Sequence, residues 1–365
     1  MRLRLVDSGD LALALAAALD GGVPVAPIPE ARQLGALRVD EPVTEADAVA
    51  VVTSSGSTGE PKAVVLTRAA LRFAVGATHA RLGGPGDWVC ALPTQHVAGL
   101  MTVARAVIAG TEVRFARGDL GDLPAPAGRT YLSLVTAQLD RALGDAGTTA
   151  KLRDHAAVLL GGGAIPAGLR ERAAAAGVRV VATYGMSETC GGCVYDGVPL
   201  DGVRVELEEG RISLGGPMAF AGYRLRPDLT AGVLDGDLVH TLDRGRWAED
   251  GRLEVLGRID DVVISGGENV DLAAAQRVAD AEFREPAVVL LAVPDERWGT
   301  RVVAVTTGPL TLEEVRARLE PLLGRAATPK ELRRVGELAY TSIGKIDRTA
   351  LLRSWARKGE YGDAG

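Results

Sequence analysis

From Val49 to about residue 182, short apolar runs alternate with Ala-rich segments of helical period. That alternation restricts the chain to a mainly parallel sheet covered by helices. Val49 to Val52 reads as a strand that leaves into a Gly/Ser loop. Thr67 caps a helix to about Leu82, which Gly83 and Gly84 end. Further strands are expected at Trp88 to Leu92, Thr111 to Phe115, Tyr131 to Val135, Ala156 to Leu160 and Val178 to Thr183. Helices are expected from Ala98 to Ala109, from a cap at Thr136, and from Pro166 in a first turn. After Cys193 the period changes to two. Val203 to Leu214 alternates around Glu209-Gly210 and Arg246 to Leu256 around Asp250-Gly251, both hairpin signals. A second mixed unit follows Arg258, with strands at Val262 to Ile264, Ala287 to Val293 and Val302 to Thr306. Its helices fall at Asp271 to Ala281, Leu312 to Leu323 and Asp347 to Lys358. The expectation is an α/β chain: a large N-terminal domain over 1–257, with helix-covered mixed sheets and an antiparallel subdomain, then a boundary at 258–261. A small α+β C-terminal domain occupies 262–365.

Composition narrows what such a chain can bind. The 365 residues carry a net charge of −6, so bulk attraction to nucleic acid or to an anionic membrane is not expected, and a polyanionic ligand needs a local positive site. No apolar run is long enough to span a bilayer. The run from Leu11 to Leu19 lies behind Asp7 and Asp10, which favours a short helix capped by Asp10 over a secretory leader. Three cysteines make no disulfide framework and fit a reducing cytosol, so a cytoplasmic location is expected. The pattern leaves a homo-oligomer open.

Thr53-Ser54-Ser55-Gly56-Ser57-Thr58-Gly59-Glu60-Pro61-Lys62 is the segment richest in chemistry. Gly56 and Gly59 let backbone approach a ligand closely and expose N–H groups as an anion nest. Ser54, Ser55, Ser57 and Thr58 add hydroxyls, and Lys62 adds a charge. Amides, hydroxyls and one ammonium on a turn that leaves a strand suit a triphosphate. No Gly-Lys-Ser/Thr opens a helix here, so this is a different loop from the Walker type.

The whole string resembles the phosphate loop of the adenylate-forming superfamily of acyl-CoA synthetases, adenylation domains and luciferases. Further segments match that family in its own order. Tyr184-Gly185-Met186-Ser187-Glu188-Thr189 is similar to its second adenylation motif, which implies Tyr184 against adenine and Glu188 as an oxygen ligand for Mg²⁺. Gly162 and Gly163, in Gly161-Gly162-Gly163-Ala164-Ile165-Pro166, resemble the adenine-side loop. His240-Thr241-Leu242-Asp243 resembles the segment whose aspartate holds the ribose, although Leu242 stands where the family usually has glycine. Gly257-Arg258-Ile259-Asp260-Asp261 resembles the hinge, with Arg258 on the ribose and Asp260 as the pivot. Ser265, Gly266 and Gly267 then line the path of the thiol. Thr341-Ser342-Ile343-Gly344-Lys345-Ile346-Asp347 resembles the last motif and implies Lys345 as the catalytic lysine on a mobile small domain, with Asp347 free to cap the helix behind it. The resemblance covers roughly residues 50–350. It implies ATP, Mg²⁺ and coenzyme A as co-substrates, and catalysis by Lys345, Glu188 and Thr58.

Leu92-Pro93-Thr94-Gln95-His96-Val97-Ala98-Gly99-Leu100 resembles the family's acyl-pocket segment, with His96, Gln95 and Gly99 toward the acid and Arg105 nearby. With the short region ahead of Thr53, it most resembles the o-succinylbenzoate–CoA ligase group of that family. The alternatives are a ligase for another aryl or acyl acid, an adenylation protein for a carrier thiol, or a regulator that binds nucleotide without catalysis. Cys190-Gly191-Gly192-Cys193 has metal-ligand spacing but lacks a second ligand pair, and reads as a small-residue turn. The basic tail from Arg348 to Lys358 reads as a solvated helix face.

Overall fold

The structure, a computed structural model, describes residues 1–54, 60–283, 287–340 and 346–358. The chain divides into two compact units, 1–241 with 247–253 and 242–246 with 254–365. The first carries a largely parallel sheet, a mixed sheet and an antiparallel hairpin, and the second a smaller α+β arrangement. The α/β expectation holds.

In the first unit, Asp87–Cys90, Val113–Phe115, Thr130–Val135, Ala157–Gly161 and Val180–Met186 pair in parallel, as the alternation implied. Gly191–Tyr195 and Val198–Pro199 then extend this sheet antiparallel. Buried Leu132, Leu134, Val158 and Leu160 face one helix layer, while Trp88, Tyr131, Ala157 and Leu159 face the other. Both faces are covered, which explains the continuous apolar runs.

A second sheet is mixed. Arg4–Val6, Val25–Pro27 and Ala48–Ser54 run parallel, and Lys62–Thr67 returns antiparallel with Gly222–Tyr223 beside it. The return strand adds to the sequence expectation, which places Lys62 in the polar loop and Thr67 at a helix cap and assigns no element between them. That cap is present: Thr67 Oγ1 accepts from the Ala70 amide at 3.1 Å. Two other expected caps are corrected. Asp10 makes no side-chain cap to Leu11–Leu19; Asp7 three residues earlier accepts from the Gly9 and Asp10 amides, forming the turn instead. Thr136 lies inside the first turn of Thr136–Leu143, and Gln138 Oε1 accepts from the Val135 amide in its place. Both hairpins form. Glu209 and Gly210 have positive φ between Arg204–Glu208 and Arg211–Gly215, the backbone twist a two-residue turn needs.

In the second unit, Val288–Asp295 and Gly299–Thr306 form the central antiparallel pair. Alternate residues Val288, Leu290, Val302 and Ala304 face the helices Leu272–Glu282 and Leu312–Ala327. Val289, Leu291, Val303 and Val305 face Leu351 and Trp355 of Arg348–Lys358. The helix expected to stop at Leu323 runs on to Ala327 past a break at Gly324, where φ is 74°.

Buried polar contacts join the helix Arg68–Leu82 to the parallel sheet. Trp88 Nε1 donates to His79 Nε2 at 3.1 Å, and the Arg105 guanidinium lies 4.8 Å from the Trp88 ring centroid. Burial, and then the Arg105 charge, lower His79 from 6.5 to about 4. On acidification the unfolded imidazole takes a proton near 6.5 and the folded one only near 4. Stability present above pH 6.5 is therefore lost as pH falls toward 4. The loss expected is about 2–3 kcal/mol. Urea titrations across this range should show a smaller slope for His79→Gln, which keeps an acceptor for Trp88 and cannot titrate; equal slopes would remove His79 as the cause.

Candidate active site

Ala48–Ser54 and Lys62–Thr67 are paired with Ser54 opposite Lys62. The two stems of the hydroxyl-rich loop are therefore fixed side by side. Its interior, Ser55, Gly56, Ser57, Thr58 and Gly59, lies outside the described residues. Thr53, ahead of the loop, is buried, and its hydroxyl donates to Gln33 Oε1 at 3.0 Å. Gln33 belongs to the short helix Ala31–Leu37.

That helix is held by Arg224, whose side chain is fully buried. Its guanidinium donates to the carbonyls of Leu37 at 2.7 Å, Arg38 at 2.9 Å, Glu41 at 2.6 Å and Pro42 at 3.3 Å. Five N–H donors in a planar fork can satisfy several carbonyls at once, and no other side chain can do so from one position. The sequence carried no pattern that marked Arg224 or Gln33, since both contacts join segments far apart in the chain.

Val180–Met186 ends in the 3₁₀ turn Ser187–Thr189, which lies against the strand Lys62–Thr67. The chain then reverses into Gly191–Tyr195, with Gly185 opposite Gly192. A Cβ on Gly185 would run into the Gly191 carbonyl. Thr189 closes the turn: its hydroxyl donates to Gly191 O at 2.9 Å and accepts from the Met186 amide at 3.0 Å. The reversal projects Glu188, and the Tyr223 phenol donates to its Oε1 at 2.6 Å. Lys62 Nζ lies 5.0 Å from the centroid of the same Tyr223 ring. The tyrosine thus meets the expected carboxylate with its hydroxyl and the expected ammonium with its face. Sequence reading missed Tyr223, although its place in Gly222-Tyr223-Arg224 was visible. Burial, then the Glu188 charge, raise the phenol, so it stays a proton donor.

The donor set suits Mg²⁺. Among the described residues no group of three or more His, Cys, Asp or Glu could hold a metal ion. A cation here would rest on the Glu188 carboxylate together with phosphate oxygens and water, which is how Mg²⁺ commonly binds.

Tyr184 is half-buried in Val180–Met186 and packs against the main core cluster of the first unit. Gly162, with φ 86°, and Gly163 are exposed beyond Ala157–Gly161. In the acyl segment, His96 stands at the N-cap of Val97–Ala109 and is half-buried, as is Gln95. Gly99 leaves room for the Pro93 carbonyl, which any Cβ there would strike. Arg105 faces Trp88 in the core, nine residues along the chain from His96. Cys190 and Cys193 are buried free thiols, and burial pushes Cys193 up to about 12.

The second unit holds the other expected groups. Arg258 makes a two-pronged contact with Asp260, 2.8 Å on each arm, and its Nη1 is 3.7 Å from Asp243. Gly266 and Gly267, with φ of 61° and 87°, form the turn between Val262–Ser265 and Glu268–Asp271. A Cβ on Gly266 would come within 2.6 Å of the Trp298 ring. Ser265 is buried, and its hydroxyl has no hydrogen-bond partner among the described residues. Lys345 lies outside the described residues. Behind it, Asp347 caps Arg348–Lys358 as expected, accepting from the Ala350 amide at 2.9 Å.

Residues 10–237 match the family model described as AMP-binding enzyme. A probable 2-succinylbenzoate–CoA ligase of Mycobacterium tuberculosis is 46% identical over 345 residues, 88% of either chain. A 2-succinylbenzoate–CoA ligase of Oceanobacillus iheyensis is 30% identical over 83% of this chain and 69% of that one. Wild-type E. coli MenE, solved with a bound m-phenylether-linked analogue of OSB-AMS, matches with a TM-score of 0.73 at 25% identity. The match covers 98% of this chain and 88% of that one. The o-succinylbenzoate coenzyme A synthetase (MenE) from Bacillus subtilis, in complex with ATP and magnesium ion, shares the fold with a TM-score of 0.80 at 21% identity, over 96% of this chain and 88% of that one.

The Arg224 clamp can be tested on the protein alone. Arg224→Met keeps an unbranched stem about as far as the Nε position, removes the guanidinium, and leaves its carbonyl partners without a donor. The expected cost is about 3–5 kcal/mol, read from the urea midpoint. A change under about 1 kcal/mol, within reach of an ordinary surface substitution, would show that water takes over the carbonyls.

Proposed function

The chain belongs to the AMP-binding enzyme family, and on that footing we propose that it joins 2-succinylbenzoate to coenzyme A, with ATP as activator, in menaquinone biosynthesis. The observation that carries the substrate is the 46% identity to a relative named for that reaction, spread over 88% of both chains. The names of the relatives agree with the resemblance of the segment from Leu92 to Leu100.

In the first step a carboxylate oxygen attacks the α-phosphorus of ATP, the bond to the β-phosphate oxygen breaks, and pyrophosphate leaves. Two anions must meet while a third departs, so preorganised positive charge and positioning dominate the barrier. Lys62 and the loop from Ser54 to Gly59 hold the phosphates. Glu188 would hold Mg²⁺, which when bound would offset charge on the phosphate oxygens. Tyr184, Gly162, Gly163 and Asp243 hold the nucleoside, with Arg258 beside Asp243. The 3.7 Å approach of Arg258 to Asp243 supports that pairing. His96, Gln95 and Gly99 receive the acid. Lys345 bridges the acid carboxylate and the α-phosphate. In the second step the thiol sulfur of coenzyme A attacks the acyl carbon, AMP leaves with the bonding electrons, and the thiol proton passes to solvent. The domain over 262–365 turns about Asp260 between the steps, and the glycine turn Ser265, Gly266 and Gly267 lines the thiol path. The reaction uses ATP and coenzyme A and suits the cytoplasm.

Purified protein given 2-succinylbenzoate, ATP and coenzyme A should form the thioester with one AMP and one pyrophosphate per turnover. Failure with this acid, and turnover with another aryl acid, would replace the substrate. Lys345→Ala should slow pyrophosphate release by roughly 100-fold or more, the size of a lost transition-state contact. Thioester formation from supplied acyl-adenylate should change little. Equal loss of both half-reactions would exclude the assigned role.

A further inference from the structure

We propose that Tyr223 is a positioning residue that sets the Glu188 carboxylate for Mg²⁺ and keeps Lys62 on the same side of the site. The inference rests on the reading of Glu188 as the metal's carboxylate.

The direction of control follows from what fixes each group. The backbone of Tyr223 is held without Glu188. It pairs with Val64 in the sheet, and its amide donates to Thr230 Oγ1 at 2.9 Å. Its ring meets Phe220 edge-on at 5.0 Å between centroids. Arg224, the next residue, is locked by its carbonyl contacts. Glu188, by contrast, sits on a three-residue turn and must order three side-chain torsions to present its oxygens. The phenol at 2.6 Å is the hydrogen bond that selects its rotamer. It engages Oε1 and leaves Oε2 to meet a cation. A hard cation gains most from a carboxylate already aimed, and groups that hold a ligating side chain from behind typically change metal affinity by about 10–100-fold.

The ring has a second consequence. An ammonium is drawn to the negative face of an aromatic ring, and Lys62 lies over that face. Lys62 is also tied to Ser54 across the stem of the phosphate loop. One side chain therefore couples the acidic and the basic group that a metal–triphosphate needs.

Mn²⁺ serves as the probe, followed by electron paramagnetic resonance as it binds the protein in the presence of ATP. Tyr223→Phe removes the hydroxyl and keeps the ring. It should weaken Mn²⁺ binding about tenfold, leave ATP binding in EDTA unchanged, leave KM for the acid unchanged and melt within a few degrees of the parent. Tyr223→Leu, which also loses the ring, should in addition weaken ATP binding in EDTA. Glu188→Gln should weaken Mn²⁺ at least as much as Tyr223→Phe. Parent-like Mn²⁺ binding by Tyr223→Phe, with loss in Glu188→Gln, would overturn the positioning role and leave the Glu188 reading intact. Parent-like binding by both would overturn the Glu188 reading and this inference with it. Equal weakening by Tyr223→Phe with and without metal would show a packing role only.

Discussion

The register of Ala48–Ser54 against Lys62–Thr67 is the constraint on which the first unit's site depends. Val49 to Val52 and Ala63 to Leu66 are almost wholly buried, so the pair is locked by apolar contact on both faces. A slip of one residue would exchange the faces of every side chain in the strand. Both faces are filled cores, so the exchanged side chains would meet neighbours of the wrong shape, and such misfit typically costs about 1–3 kcal/mol at each site. With the register fixed, Ser54 and Lys62 stand opposite each other, and the polar loop between them leaves the sheet from a rigid base.

A second strand pairing brings in the rest. Gly222–Tyr223 lies against Val64 and Val65, on the far side of Lys62–Thr67 from Ala48–Ser54. It carries Tyr223 to Lys62 and Glu188, and Arg224 to the carbonyls of residues 37–42. Glu188 arrives from the parallel sheet, where the contact of Gly185 with Gly191 is too close for any side chain. Three chain segments therefore meet through backbone fit, and the charged groups occupy positions the backbone has already set. This order matters for catalysis by charge, because groups that need no rearrangement stabilise a transition state more effectively than mobile ones.

The second unit is organised differently. Its sheet buries alternate residues on opposite faces, and its expected functional groups occupy edges and turns. Arg258 spans Asp260 and Asp243, and the glycine turn lies against Trp298. Loops placed on a rigid sheet can change conformation without exposing the core. That property suits a domain expected to serve two half-reactions in turn.

The sequence by itself determined the elements and most of the chemistry. Period-two and helical patterns marked the strands and helices, because burial on one face or two leaves a local trace. Thr67, Asp347 and the Glu209-Gly210 turn were legible for the same reason: a cap or turn is made by neighbours in the chain. Asp10 and Thr136 were misread because several nearby polar groups compete for one amide, and geometry chooses among them. Tertiary structure alone decided the return strand at Lys62, the partnership of Tyr223 with Glu188, the Arg224 clamp and the burial of Arg105 on Trp88. Each joins residues distant along the chain, so no local pattern encodes it. Motifs named the groups that carry charge; the sheet decided which groups hold them still.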